Sequence, residues 1–180
     1  TIVILLKEHD LLLSDYIADD NIAAYCIRAI FEIEKSFIVG KNNILNLVNE
    51  YLGKAKRYQA WEVLNLSHTS MLDDGHPFNF AFWDSKIKDM SIVDRDIFWS
   101  EYIRSGDDGF SKNIVESIYQ HYKDGGKTTP RSVNGCLYAS WVLTTTDRKL
   151  RDEATRALYW AGRMDPALLY RLTKSSIEIN

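Results

Sequence analysis

Residues Tyr122 to Pro130 read YKDGGKTTP, and the GGKTT within them has the ending of a phosphate-binding loop. The complete pattern, G-x-x-x-x-G-K-[ST], needs a hydrophobic strand leading in, a first glycine five places before the second, and backbone N–H groups that cradle phosphate. Gly126, Lys127 and Thr128 fill the last three places, but the first glycine's place is taken by His121. What leads in is SKNIVESIYQHY, whose Ile114, Val115, Ile118, Tyr119 and Tyr122 recur at helical spacing. The stretch therefore predicts a helix ending in a glycine-rich loop, with Gly125 near the C′ position, and no nucleotide or other cofactor.

The four histidines, His9, His68, His76 and His121, are scattered, and none has the H-x-x-E or C-x-x-C company of a metal site. Asp73, Asp74 and His76 form a local acid–imidazole group, but on a turn and without a fourth ligand. Asp94, Arg95 and Asp96 fall at a helix start, where acids complement the dipole. Cys26 and Cys136 both lie in apolar helical context and predict buried thiols rather than a disulfide or metal pair. No carboxylate pair stands in a context that calls for a raised pKa. The residue types predict no catalytic residue, no metal and no enzyme.

Aromatic residues crowd one segment: Phe78, Phe80, Phe82 and Trp83 follow His76 and Pro77, and Phe98, Trp99 and Tyr102 come soon after. Two readings compete. The rings fill a gap where a loop interrupts helix packing, or His76, Phe78, Phe80, Phe82, Trp83 and Trp99 form a partner-binding patch, aromatic residues being common interface anchors.

The elements that must hold these residues are helical. Pro77, Pro130 and Pro166 fall at breaks in the pattern, as proline must. One broad stripe, Ile22, Cys26, Ala29, Ile30, Ile33 and Phe37, is widened by Tyr25, Ile27, Phe31 and Ile38. A second comprises Ile44, Leu45, Val48, Tyr51 and Leu52 after Gly40. A third, Trp61, Leu64, His68 and Met71, starts near Tyr58. Helical segments follow over 81–90, then from Ser91 with Val93, Ile97 and Ile103 behind an S-x-x-D cap, and over 133–143, 147–162 and 166–173. Asp165 caps the last of these, with Pro166 in its first turn. Strand alternation is absent, so the chain reads as all-α, about eight to nine helices.

The 180 residues, with 46% hydrophobic and 26% charged, bound one compact domain over 1–180, or one stretch of a repeat array, able to bury a core. The net charge of −3 argues against a nucleic-acid partner. No apolar run approaches the roughly 18 residues of a membrane span, and TIVILL lacks the basic lead of a signal peptide. A cytoplasmic chain that begins without Met is expected to be a fragment of something longer.

Leu143 to Ser175, LTTTDRKLRDEATRALYWAGRMDPALLYRLTKS, gives the most specific pattern. Leu150, Ala154, Ala157, Leu158 and Ala161 share one face, and its alanines let a neighbouring helix approach. Arg148 with Asp152, Lys149 with Glu153, and Asp152 with Arg156 are i,i+4 opposite charges on the other side, and Gly162 is expected to end the helix. This segment resembles a HEAT-type helical repeat, with Asp147 and Arg151 at the positions that hold the inter-helix turn. Asp152, Ala154, Ala157 and Leu158 complete the unit. The resemblance implies a HEAT/armadillo-like right-handed array, an α-α superhelix that stacks such pairs and offers a long surface to partners.

A second resemblance joins HPFNFAFWDSKIKDMSIVDRDIFWSEYI to LTTTDRKLRDEATRALYWAG. Through His76, Pro77, Asn79, Arg95, Asp96, Trp99, Arg148, Leu150, Arg151, Asp152, Ala154, Thr155, Ala157 and Leu158 it is similar to the helical region after the NTPase module of large bacterial STAND/NACHT-type ATP-binding proteins. Several of these act in antiphage defence. Trp83 and Asp84 depart from the leucine–histidine pair expected there. The resemblances imply a non-catalytic scaffold or sensor segment that contacts proteins or other domains of its own chain. Self-association is expected through apolar ends, TIVILL and Leu11 to Leu13 at one and Leu168, Leu169 and Leu172 at the other. The alternatives are a helical enzyme domain whose site assembles from distant residues, and a HEAT-like nucleic-acid binder using the basic knot Lys54, Lys56 and Arg57.

Overall fold

The computed structural model describes residues 20–32, 42–106 and 109–177. His9, the opening apolar run and the turn at Gly40 lie outside them. Among the described residues every regular element is helical, and no helix is long and apolar enough to cross a membrane. The chain divides into two compact units, Thr1–His68 with Gly75–Pro77, and Thr69–Asp74 with Phe78–Asn180.

The first unit holds α1 (Asp20–Glu32), α2 (Asn42–Lys54) and α3 (Arg57–Leu66), with α1 packed on both others. Cys26, Ile27 and Ile30 of α1 bury one face together with Leu47, Val48 and Tyr51 of α2 and Val63 and Leu64 of α3. Tyr25, expected in the widened stripe, points to solvent at 67% exposure. An Arg28–Glu62 ion pair joins α1 to α3 on the outside. The third helix stops at Leu66 and passes into a 3-10 turn, Ser67–Thr69, so Met71 is not part of it. The tighter turn suits Ser67, whose hydroxyl donates back to the Leu64 carbonyl at 2.7 Å.

The second unit begins its regular structure with α4 (Phe80–Lys88). Asn79 caps it: its Oδ1 accepts from the Ala81 and Phe82 N–H groups at 3.0 and 3.4 Å, and its Nδ2 donates to the Asp74 carbonyl at 3.0 Å. Ile92–Arg95 continues through a π-helical turn, Asp96–Ser100, into Glu101–Gly106; together these make α5. Ser91 caps it as the sequence predicts, accepting from the Asp94 N–H at 3.2 Å. The apolar residues named for this helix do not share a face. Ile103 is buried, whereas Val93 and Ile97 are exposed.

Then come α6 (Phe110–Lys123), α7 (Pro130–Val142), α8 (Arg148–Met164) and α9 (Pro166–Ile177). Helices α6, α7 and α8 pack pairwise, α4 lies on α7, and α9 lies on α8 and α7. Tyr138 of α7 is the hub of the core. Its ring meets Phe80 at 4.9 Å, Trp99 at 5.5 Å and Phe110 at 5.9 Å, and its hydroxyl shares a 2.5 Å hydrogen bond with Ser111. Two glycines mark where helices come closest. A Cβ on Gly135 would lie 2.3 Å from Ile118 Cδ1, and one on Gly162 would lie 2.4 Å from Leu169 Cδ2. Gly162 therefore does not end α8, which runs on to Met164; it is the notch into which α9 sets Leu169.

Candidate functional site

At the phosphate-loop look-alike, α6 ends at Lys123 and Gly125 takes φ +81°. The Gly126 N–H donates to the His121 carbonyl at 2.8 Å and the Gly125 N–H to that of Tyr122 at 3.1 Å. This pair of bonds is the Schellman motif, which closes a helix on its own last carbonyls. The two glycine amides are engaged there rather than turned toward an anion, and the Lys127 carbonyl lies 2.9 Å from His121 Nε2. Thr129 caps α7 in a box with Ser132 around Pro130.

Below this loop lies a chain of hydroxyls. The Tyr122 hydroxyl meets Ser132 Oγ at 2.9 Å and donates to Thr128 Oγ1 at 3.4 Å, and Thr128 donates to Asp165 Oδ2 at 2.8 Å. Asp165 Oδ1 accepts the Leu168 N–H at 2.9 Å, capping α9. These donors, the Leu168 amide first and then the Thr128 hydroxyl, hold the Asp165 carboxyl below its ordinary range. Cys136 lies against this chain, and burial pushes its thiol up to about 12, outweighing the Tyr122 hydroxyl that favours the thiolate. A thiol so placed stays protonated and is a poor nucleophile. Burial raises Tyr122 and Cys26 as well. Neither cysteine is disulfide-bonded.

A second polar cluster ties four helices together and was not legible in the sequence. Asp84 of α4 receives the Trp141 indole N–H of α7 on Oδ1 and the Lys88 ammonium on Oδ2, both at 2.7 Å. Lys88 also donates to Ser175 Oγ of α9 at 2.6 Å. Arg95 of α5 donates to the Ile87, Lys88 and Met90 carbonyls at 3.2, 3.5 and 3.1 Å, which stops the end of α4, and its guanidinium lies 5.7 Å from the centre of the Trp141 ring. Trp99 donates to the Trp141 carbonyl at 3.0 Å. Both Asp84 oxygens are occupied, and their bonds brace α4 against α7. The motif residues Asp84 and Arg95 meet here only because α4, α5 and α7 converge; their separation in sequence carries no signal of it.

Among the aromatic candidates, Phe78, Phe80, Trp83 and Trp99 are at most 1% exposed and His76 is buried. Of the two readings of this segment, the partner-patch one is therefore corrected for His76, Phe78, Phe80, Trp83 and Trp99. These rings fill the interior, where Trp83 stacks on Phe98 and Phe80 packs on Tyr138, and of the six only Phe82 is half-exposed. Among the described residues no group of three or more His, Cys, Asp or Glu could hold a metal ion, Asp73, Asp74 and His76 included.

Within the repeat-like segment, Ala154, Ala157, Leu158 and Ala161 are buried on one face of α8. Asp147 and Arg151 both serve the turn before it, separately. Asp147 Oδ1 caps α8 through the Leu150 N–H at 3.1 Å, and Arg151 Nη1 donates to the Thr145 carbonyl at 3.1 Å. On the outer face Arg148 approaches Asp152 at 3.8 Å. Arg156 turns instead to α6, pairing with Glu116 at 3.3 Å and lying 4.0 Å over the Tyr119 ring. An open depression of about 470 Å³ over this face is walled by Arg148, Lys149, Asp152, Glu153 and Arg156, all from one helix, so it encloses nothing. Two members of the basic knot are engaged locally, Lys54 with Glu50 at 2.7 Å and Arg57 over the Trp61 ring. Of the apolar end, Leu168 is covered, which corrects one expectation; Leu169 is 36% exposed. No family model, no curated protein and no solved structure matches this chain.

Proposed function

We propose that this chain is a non-catalytic helical scaffold or sensor segment that works by contacting other proteins or other parts of its own polypeptide. The stacking is proposed to be HEAT-like, and the setting a bacterial STAND/NACHT-type defence protein, on the resemblance of residues 76–103 and 143–162. One observation carries the reading. Large apolar side chains stand on the outside while the polar side chains of the interior brace helix ends. Ile92, Val93 and Ile97 face solvent on α5, Tyr159 and Met164 on α8, and Tyr170 and Ile177 on α9. Grouped apolar exposure of this kind marks contact surfaces more often than it marks chemistry.

Cross-linking mass spectrometry in a cell that makes this chain tests this. The expected result is a reproducible set of links landing near α5 or α9. Links spread evenly over the surface, or turnover of a small molecule by the purified chain, would overturn it.

A further inference from the structure

Helix α9 presents two unlike faces. Leu168 points inward at 1% exposure and Leu172 is half-buried. On the opposite side Tyr170, Lys174 and Ile177 follow at i, i+4 and i+7, one continuous strip, with the two apolar residues 69% and 77% exposed. Tyr170 and Ile177 lie roughly 10 Å apart along the helix axis, about two turns. Leu169 borders the strip on the side where it enters the Gly162 notch.

Three exposed cations border the strip among the described residues. Arg171 and Lys174 on α9 and Arg163 at the end of α8 are exposed, and none of them makes an ion pair among the described residues. Arg163 is held over the faces of Trp160 and Tyr159 at 4.9 and 5.9 Å, which orders the guanidinium. Asp165, the one acid between Tyr159 and Ile177, is engaged by Thr128 and the Leu168 amide, and it feels the Arg171 charge at longer range without pairing with it. The whole chain carries −3, so this basic, apolar corner is opposite in sign to the molecule that bears it.

We propose that the outer face of α9, with the last turn of α8, docks an amphipathic helix whose apolar stripe is flanked by carboxylates. This rests on the protein-contact reading above and names the partner's chemistry. A helix laid along α9 covers Tyr170 and Ile177 with its own apolar residues at i, i+3 and i+7, and brings acids to Arg163, Arg171 and Lys174. A second copy of the same face is disfavoured, because it would bring these cations toward each other. A membrane surface is disfavoured because α9 is already docked through Leu168, which leaves a strip too narrow to insert as an interfacial helix does.

The probe is a stapled helical peptide with leucines at i, i+3 and i+7 flanked by glutamates, beside the same peptide with glutamines, read by fluorescence anisotropy on the full chain. The glutamate peptide is expected to saturate, and to weaken about tenfold between roughly 50 and 500 mM salt, since exposed charges are screened. The glutamine peptide, and the glutamate peptide on Arg171→Glu/Lys174→Glu, should each lose about tenfold. Tyr170→Ser should also weaken binding, whereas Tyr25→Ser, which removes an equally exposed tyrosine elsewhere, should not. No saturation below about 1 mM, or equal affinity for both peptides, overturns the proposal. So does binding to phosphatidylserine vesicles, or a dimer in sedimentation, abolished by the same two charge reversals. Failure here with cross-links retained at α5 would leave the scaffold reading standing; loss of both would not.

Discussion

The Trp141 indole N–H donates to Asp84 Oδ1 across 57 positions of sequence, while Lys88 holds the other oxygen of the same carboxylate. Asp84→Ala would strand a part-buried N–H and leave Lys88 without its counter-charge. It is expected to cost about 2–3 kcal/mol, the upper range for an orphaned hydrogen-bonding group. Asp84→Asn keeps an acceptor and should cost less. Urea midpoints decide: an Asp84→Ala midpoint equal to that of the parent would remove the brace from this account.

Arg151 and Lys149 are near neighbours on α8 with unlike duties. Arg151 donates to the Thr145 carbonyl and is partly buried, so Arg151→Ala should destabilise by about 1.5–3 kcal/mol, the range for a charged hydrogen bond. Lys149 is exposed, and Lys149→Ala should stay within about 0.5 kcal/mol of the parent. Matching denaturation midpoints for the two variants would contradict the role given to the turn.

Glycine in mid-helix ordinarily invites replacement, since alanine gains about 1 kcal/mol in helix propensity. At Gly135 the opposite is expected. The new methyl would meet Cδ1 and Cγ1 of Ile118 at 2.3 and 2.6 Å, and Ile118 is itself buried. Overpacking of this kind costs about 1–3 kcal/mol. The cost should shrink in an Ile118→Ala background, a coupling that a double-mutant cycle measures. Stabilisation by Gly135→Ala alone would mean that α6 and α7 are not so close.

Both thiols should be silent in the folded chain. Burial raises Cys136 to about 12 and Cys26 in the same direction, so each remains protonated at pH 8. Ellman's reagent should label neither within minutes, and both once urea is added. The linkage has a sign. A folded pKa above the unfolded one gives stability that is fully present below about pH 9 and is lost as pH climbs toward 12. Cys136→Ser should flatten that alkaline decline. Rapid labelling of Cys26 or Cys136 in native protein would show that α1 or α7, respectively, opens far more easily than its packing implies.

Mg·ATP is expected not to bind at GGKTT, because the Gly125 and Gly126 amides close the end of α6. Calorimetry showing a dissociation constant below about 100 μM, roughly −5.5 kcal/mol, that is lost in Lys127→Ala would refute this.

Much of the helical framework was legible in the residues alone, because helix ends are local events. Ser91, Thr129 with Pro130, Asp147, and Asp165 with Pro166 each start a helix through bonds spanning two or three residues, and the alanine face of α8 follows from periodicity. Where the sequence misled, the cause was also local. Gly162 looks like a helix stop when nothing shows that Leu169 needs its missing side chain, and the aromatic run after His76 reads equally as filler or patch until its rings are found inside. Neither the direction in which a ring faces nor the partner of Asp84 is encoded at short range. They depend on α4, α5, α7 and α9 meeting at one corner, where distant hydrogen bonds satisfy groups that burial would otherwise leave unpaired. The outer strip on α9 likewise emerges only in three dimensions: Leu168 and Tyr170 are both apolar and two residues apart, and packing decides which of them is buried and which stays exposed.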